Sequence, residues 1–81
     1  MNIESIVEEI KKIIEEIADI SQNEIGEDAS MIDDLDLSSL ETMAVISEVE
    51  RRYSIKISET EMLSIGTVKE LAETVKKSLK E

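Results

Sequence analysis

Asp33-Asp34-Leu35-Asp36-Leu37-Ser38-Ser39-Leu40-Glu41-Thr42 is where this chain changes character. An acidic run without periodicity gives way at Ser38 to a helix signal. Ser38-Ser39-Leu40-Glu41 has capping-box spacing: a serine hydroxyl can accept from the backbone N–H of Glu41, whose carboxylate reaches back to the cap. Beyond it Thr42, Val45, Ile46, Val49 and Tyr53 recur at helical steps. That spacing predicts a helix from Ser38 to about Tyr53 with this stripe turned inward. Leu40, Met43 and Ala44 fall off the stripe, near the helix start. They either widen the core contact or form an exposed apolar patch rimmed by acids, the mark of a protein-binding site.

Upstream, the stretch from Ser21 to Leu37 has no period. Loops this long in a small chain are functional or anchored by their own side chains, and Met31, Ile32, Leu35 and Leu37 are the expected anchors. Before it, Ile3, Ile6, Val7, Ile10, Ile13, Ile14 and Ile17 define one apolar face of a helix over Ile3 to Ile20, capped by Asn2. Glu8, Glu9, Lys12, Glu15 and Glu16 lie on the other face.

Downstream, Tyr53-Ser54-Ile55-Lys56-Ile57 alternates like a strand, but no other segment could pair with it. It reads as an extended connector that tucks Ile55 and Ile57 into the core. Ser58-x-x-Glu61 is a second capping box and opens a short helix through Met62 and Leu63. Thr67-x-x-Glu70, just after Gly66, is a third. It opens a last helix with Val68, Leu71, Ala72, Val75 and Leu79 on one face and Lys76, Lys77 and Lys80 near its negative end. The expected fold is all-α: a four-helix bundle of three long helices and one short, with a long loop between the first and second, in a single domain over residues 1–81.

Eighty-one residues give a small core, and there is no cysteine to staple it. The absence of Cys removes disulfides, thiolate metal sites and Cys nucleophiles. The absence of His removes the commonest general base and metal ligand. Ser, Thr, carboxylates, Lys and Tyr53 remain, an inventory that argues against an enzyme with a cleft of its own. No leader or membrane-length apolar run is visible, so a cytoplasmic protein without membrane insertion is expected.

The net charge of −11 argues against nucleic acid as a partner. Between Lys12 and Arg51 there is no basic residue, yet that stretch holds twelve acids, so all of the net charge lies in the first two-thirds of the chain. Such a field solubilises the surface or steers basic partner proteins. The acidic run fails as a calcium loop. Starting at Asp34, Ser39 falls where glycine is required and Val45 where the bidentate glutamate is required. No dedicated metal site is expected. A serine at a helix start is ordinarily its cap, but Ser38 already fills that role, which leaves Ser39 without a structural duty.

Asp34-Leu35-Asp36-Leu37-Ser38-Ser39-Leu40-Glu41-Thr42 closely resembles the modification site of acyl carrier proteins, whose pattern is D-L-G-x-D-S-L. The resemblance spans essentially the whole chain: the acidic first helix, the long loop, the aromatic Tyr53 ending the second helix, the Ile55-x-Ile57 connector, the short third helix and the Thr67-Val68-x-x-Leu71 start of the fourth. Two positions of the pattern differ: Asp36 stands at its glycine and Ser38 at its second acid. Ala44 and Arg51, often acidic in carriers of fatty-acid synthesis, are not acidic here, and Ser47 is polar where an apolar residue is usual.

The resemblance implies an acyl-carrier-like bundle, not itself catalytic, with 4′-phosphopantetheine from coenzyme A on Ser39. Acyl intermediates of fatty-acid, polyketide or specialised-lipid synthesis would ride on that arm as thioesters. The implied partners are a phosphopantetheinyl transferase (holo-acyl-carrier-protein synthase), an acyl ligase or acyltransferase, a ketosynthase and other pathway enzymes with basic surfaces, met by a monomeric carrier. Leu40 and Met43 would be the apolar centre of the docking surface, with Asp34, Asp36, Glu41, Glu48 and Glu50 as its acidic rim. A peptidyl or aminoacyl carrier of a synthetase, and an unmodified helical interaction module, are the alternative readings.

Overall fold

The computed structural model describes residues 2–79, in which four α-helices follow one another without a strand. Helix α1, Ile3–Ala18, starts on Asn2, whose Oδ1 accepts from the Ser5 N–H at 2.8 Å. It ends two residues before the expected Ile20, because Asp19 turns left-handed at φ 60° and closes the last turn onto the Glu15 carbonyl. Helix α2 is Ser39–Tyr53, with Ser38 as its cap rather than its first residue. Helix α3, Glu59–Ser64, has the expected Ser58/Glu61 capping box. Helix α4 is Val68–Leu79. Lys80, expected among the C-terminal lysines, lies outside the described residues.

Helix α1 packs against both α4 and α2. The core is aliphatic throughout: Ile6, Val7, Ile10, Ile13 and Ile14 from α1, Val45, Ile46 and Val49 from α2, Val68, Leu71, Ala72 and Val75 from α4. No polar side chain is buried among the described residues. Ile57 is buried as expected, whereas Ile55 is only partly covered. Leu79, the last residue of α4, is exposed, contrary to the apolar pattern.

The long loop is stitched to the start of α4. Its carbonyls at Glu27 and Ala29 accept from the N–H groups of Lys69 and Val68, and Gly66 accepts from Met31 N–H. The Glu70 N–H goes to Thr67 Oγ1 at 3.1 Å, the third expected capping box. The first three donors of α4, which its own turns cannot satisfy, are thereby all engaged. Glu70 returns its carboxylate to the N–H groups of Gly66 and Thr67, and these bonds lower its pKa.

Of the four expected loop anchors, Met31 and Leu37 are buried and Leu35 is partly so, but Ile32 points outward with 53% of its surface exposed. The reason is a single tight turn. Asp34 and Leu35 N–H groups both return to the Ser30 carbonyl, so adjacent side chains diverge and only Met31 faces in. Ile25, next to Gly26, takes the vacated role of anchor and is buried.

Candidate functional site

The start of α2 is held from both sides. Ser38 Oγ accepts from Glu41 N–H at 3.1 Å, and Glu41 Oε1 accepts from Ser38 N–H at 3.0 Å. The Thr42 hydroxyl donates to the Ser38 carbonyl at 3.0 Å. On the loop side, Leu37 is buried and its N–H donates to the Met31 carbonyl at 2.9 Å. One turn earlier, Ser30 Oγ accepts from Asp33 N–H and Asp34 Oδ2 accepts from Ser30 N–H. That reciprocal pair was readable in advance as Ser30-x-x-Asp33-Asp34, a cap-like pattern that sequence reasoning passed over.

Between these clamps Ser39 is the first helical residue, exposed, with its hydroxyl unused by the capping box. The N–H groups of Ser39 and Leu40 also take no part in the box. A helix N-terminus with unspent donors favours an anion beside it, so a phosphodiester on Ser39 Oγ fits the local field. Leu40 and Met43 are 79% and 56% exposed, with Ala44 exposed beside them. These residues therefore lie on the surface and do not widen the core contact. Leu63, 85% exposed on α3, is a further surface apolar residue that its place in a short helix gave no face to predict. A shallow cavity of about 330 Å³ opens beside Thr42, between Met31, Ile32, Ile65 and Gly66.

The expected acidic rim is divided by the structure. Asp34 and Glu41 accept the bonds just described, and Asp36 is exposed with a left-handed backbone, φ 58°. Glu48 and Glu50 lie about 14–17 Å from Ser39 along the axis of α2 and are occupied. Glu50 accepts from the Ile57 N–H at 2.8 Å and holds the connector. Glu48 is bound by Arg51 and by Arg52 Nε, the latter at 2.8 Å. These bonds, Arg51 first, hold its carboxyl down at about 2. Arg52 continues across to α1, reaching Glu9 at 2.5 Å and Glu16 at 2.6 Å, and its own pKa is raised by Glu48 and then Glu9. Four residues thus form a clasp between α1 and α2. The exposed face of α2 runs Leu40, Met43, Ala44, Ser47, Arg51 and carries no acid.

No three carboxylates converge to hold a metal ion among the described residues. A concavity of about 560 Å³ lies between the start of α1, Glu27 and Lys69 and contains none of the residues at the α2 start. No described helix is long and apolar enough to cross a membrane.

Known proteins place this geometry. The family described as "Phosphopantetheine attachment site" matches residues 8–75. An acyl carrier protein of Buchnera aphidicola subsp. Acyrthosiphon pisum (strain Tuc7) is 46% identical over 77 residues, covering 94% of this chain and 96% of that one. A meromycolate extension acyl carrier protein of Mycobacterium leprae is 32% identical over 74 residues, which cover 91% of this chain and 64% of that one. A solved structure of the acyl carrier protein from Enterococcus faecalis superposes with a TM-score of 0.78 over 96% of this chain and 99% of that one, at 24% identity. The chain belongs to the phosphopantetheine-attachment family, among its acyl carrier proteins.

Proposed function

We propose that Ser39 is the attachment residue and that the whole chain acts as one non-catalytic carrier domain, a cytoplasmic monomer. The observation that carries this is the exposed, uncommitted hydroxyl of Ser39 on a helix start whose cap is already filled by Ser38. In the attachment step Ser39 Oγ bonds to the pantetheine-bearing phosphorus of coenzyme A. The diphosphate P–O bond breaks, adenosine 3′,5′-bisphosphate leaves, and the serine proton passes to a base of the transferase. When bound, 4′-phosphopantetheine supplies the thiol that carries acyl groups as thioesters. Residues of the α2 start would present the arm and keep the acyl group at high effective concentration for a docked enzyme.

Leu40 and Met43 are proposed as the apolar contact for the transferase, for an acyl ligase or acyltransferase, and for a ketosynthase. Met43 suits a surface that meets several partners, because its thioether repacks readily. Asp34, Asp36 and Glu41 form the near rim, which would attract basic partner surfaces. Glu48, paired with two arginines, contributes less charge to it, and Glu50 lies further along α2. Loading of the holo protein by a fatty acyl ligase tests the reading. An acyl group that hydroxylamine removes should appear on wild type and be absent from Ser39→Ala. Loading only by an amino-acid-activating ligase would make this a peptidyl carrier, and loading by neither would leave a helical interaction module.

A further inference from the structure

Twenty of the 81 residues are acidic, yet the outward face of α2 carries no acid. Leu40, Met43, Ala44, Ser47 and Arg51 fall within an arc of about 100° on that helix, and all of them are exposed. Glu41, Glu48 and Glu50 flank the arc. Each is partly buried and bonded within the fold: to the Ser38 N–H, to both arginines and to the Ile57 N–H, respectively. Arg51 is the one charge the arc presents. Arg52 turns across to α1 and its side chain is 26% exposed, whereas that of Arg51 is 72% exposed. Glu48 takes Nε and Nη2 of Arg51 but is shared with Arg52, and Nη1 of Arg51 has no partner among the described residues. The face is therefore apolar near Ser39 and positive at its far end.

We propose that Arg51 selects the acyl-transferring partner of this carrier: an enzyme with an apolar strip over Leu40, Met43 and Ala44 and a carboxylate opposite Arg51. The inference rests on Ser39 being the attachment residue, since that is what brings an enzyme onto this face. One side of a standard interface covers about 800 Å², a disc of roughly 16 Å radius. Arg51 lies only about 12 Å along the helix axis from Met43, so a partner centred on Leu40 and Met43 also covers Arg51. A lysine or arginine over it would set like charges against each other. An apolar cover would strip its water and return nothing. A carboxylate matches it, fixes the register of the helix on the partner and shuts out enzymes with a cation at that place.

The test uses the acyl-loaded full chain as substrate for two ketosynthases, that of its own cell and one whose entrance is ringed by lysine and arginine. Ser47→Glu puts an acid on the face one turn before Arg51, at the i,i+4 spacing that pairs it with the guanidinium, so Tm should hold or rise. Arg51→Glu reverses the charge beside Glu48, so Tm should fall. Both variants should lower kcat/KM with the cell's own enzyme by about fivefold or more, mainly through KM, and raise it with the basic-ringed one. Because Tm moves in different directions, a shared change in rate cannot come from stability. Rates with the own enzyme that rise or stay within about twofold of wild type overturn the inference. So does a fall with both enzymes, which marks lost contact rather than charge selection. Intact mass before any rate is measured separates the two readings: a chain that gains no arm on Ser39 overturns the attachment reading and this inference with it.

Discussion

Met31 is the residue through which the core reaches the functional loop, and Met31→Ala measures that coupling. Its side chain is 1% exposed, its N–H donates to Gly66 and its carbonyl accepts from Leu37, each at 2.9 Å. Truncation removes three heavy atoms from the core, about 2 kcal/mol of transfer free energy at ~0.8 kcal/mol per group. The residual cavity raises the expected loss to about 3 kcal/mol, within the ~2–5 kcal/mol range of such changes. A chain of 81 residues has roughly 4–12 kcal/mol in total, so the variant should fold but melt about 12–24 °C lower. The backbone bonds survive the change, so helical content at low temperature should not fall. The loop should open more readily, seen as faster amide exchange at Leu35 and Leu37 and a higher KM with the transferase. Two controls bracket the effect in thermal and urea melts. Met31→Leu should cost under about 1.5 kcal/mol, and Ile32→Ala, at an exposed neighbour, within about 0.5 kcal/mol. Equal losses for Met31→Ala and Ile32→Ala would refute the assignment of the anchor.

Ser38→Ala should lose about 1 kcal/mol in a urea melt, the value of one cap, and still accept the modification at Ser39. Leu40→Ala and Met43→Ala should each leave the melt within about 0.5 kcal/mol of wild type while raising KM for transferase and ligase. A loss of about 2 kcal/mol or more would make either residue core. At neutral pH added salt should raise Tm, because screening a net charge of −11 outweighs weakening one clasp. Acid acts on the clasp with the opposite sign. Glu48 is held at about 2, below its ordinary 4.5, so its contribution is present above pH 4.5 and is lost as pH falls toward 2. Wild type should therefore lose Tm more steeply than Glu48→Gln across that window, and parallel slopes would contradict the clasp.

The helices were legible because their signals are local. Asn2 with Ser5, Ser38 with Glu41, Ser58 with Glu61 and Thr67 with Glu70 each pair residues three apart, and all four caps form. The inward stripe of α2 and the outward Leu40 and Met43 follow from a period of 3.6 in the same way. The loop obeys no period, so its sequence does not tell the outward Ile32 from the buried anchor Ile25: facing there depends on which carbonyl each N–H returns to. The Glu9–Glu16–Glu48–Arg52 clasp joins residues up to 43 apart, and nothing in the chain marks Arg52 as different from Arg51. Leu79 failed for a simpler reason, since the last turn of α4 outruns the core it would cover. At the candidate site, the cap role of Ser38 was readable from its capping-box spacing, whereas the left-handed turn at Asp36 was not, since aspartate is compatible with either hand.

Residue-level mapping of the attached group bears most directly on the central claim. The apo chain would be incubated with coenzyme A and a phosphopantetheinyl transferase, digested, and fragmented in a mass spectrometer across the Asp34–Thr42 peptide. A single phosphopantetheine on Ser39, absent from Ser39→Ala and retained by Ser38→Ala, is the predicted result. A group on Ser38, or none, would contradict the account, because a capping hydroxyl bonded to Glu41 would then be the reactive one or the free hydroxyl would not be read at all.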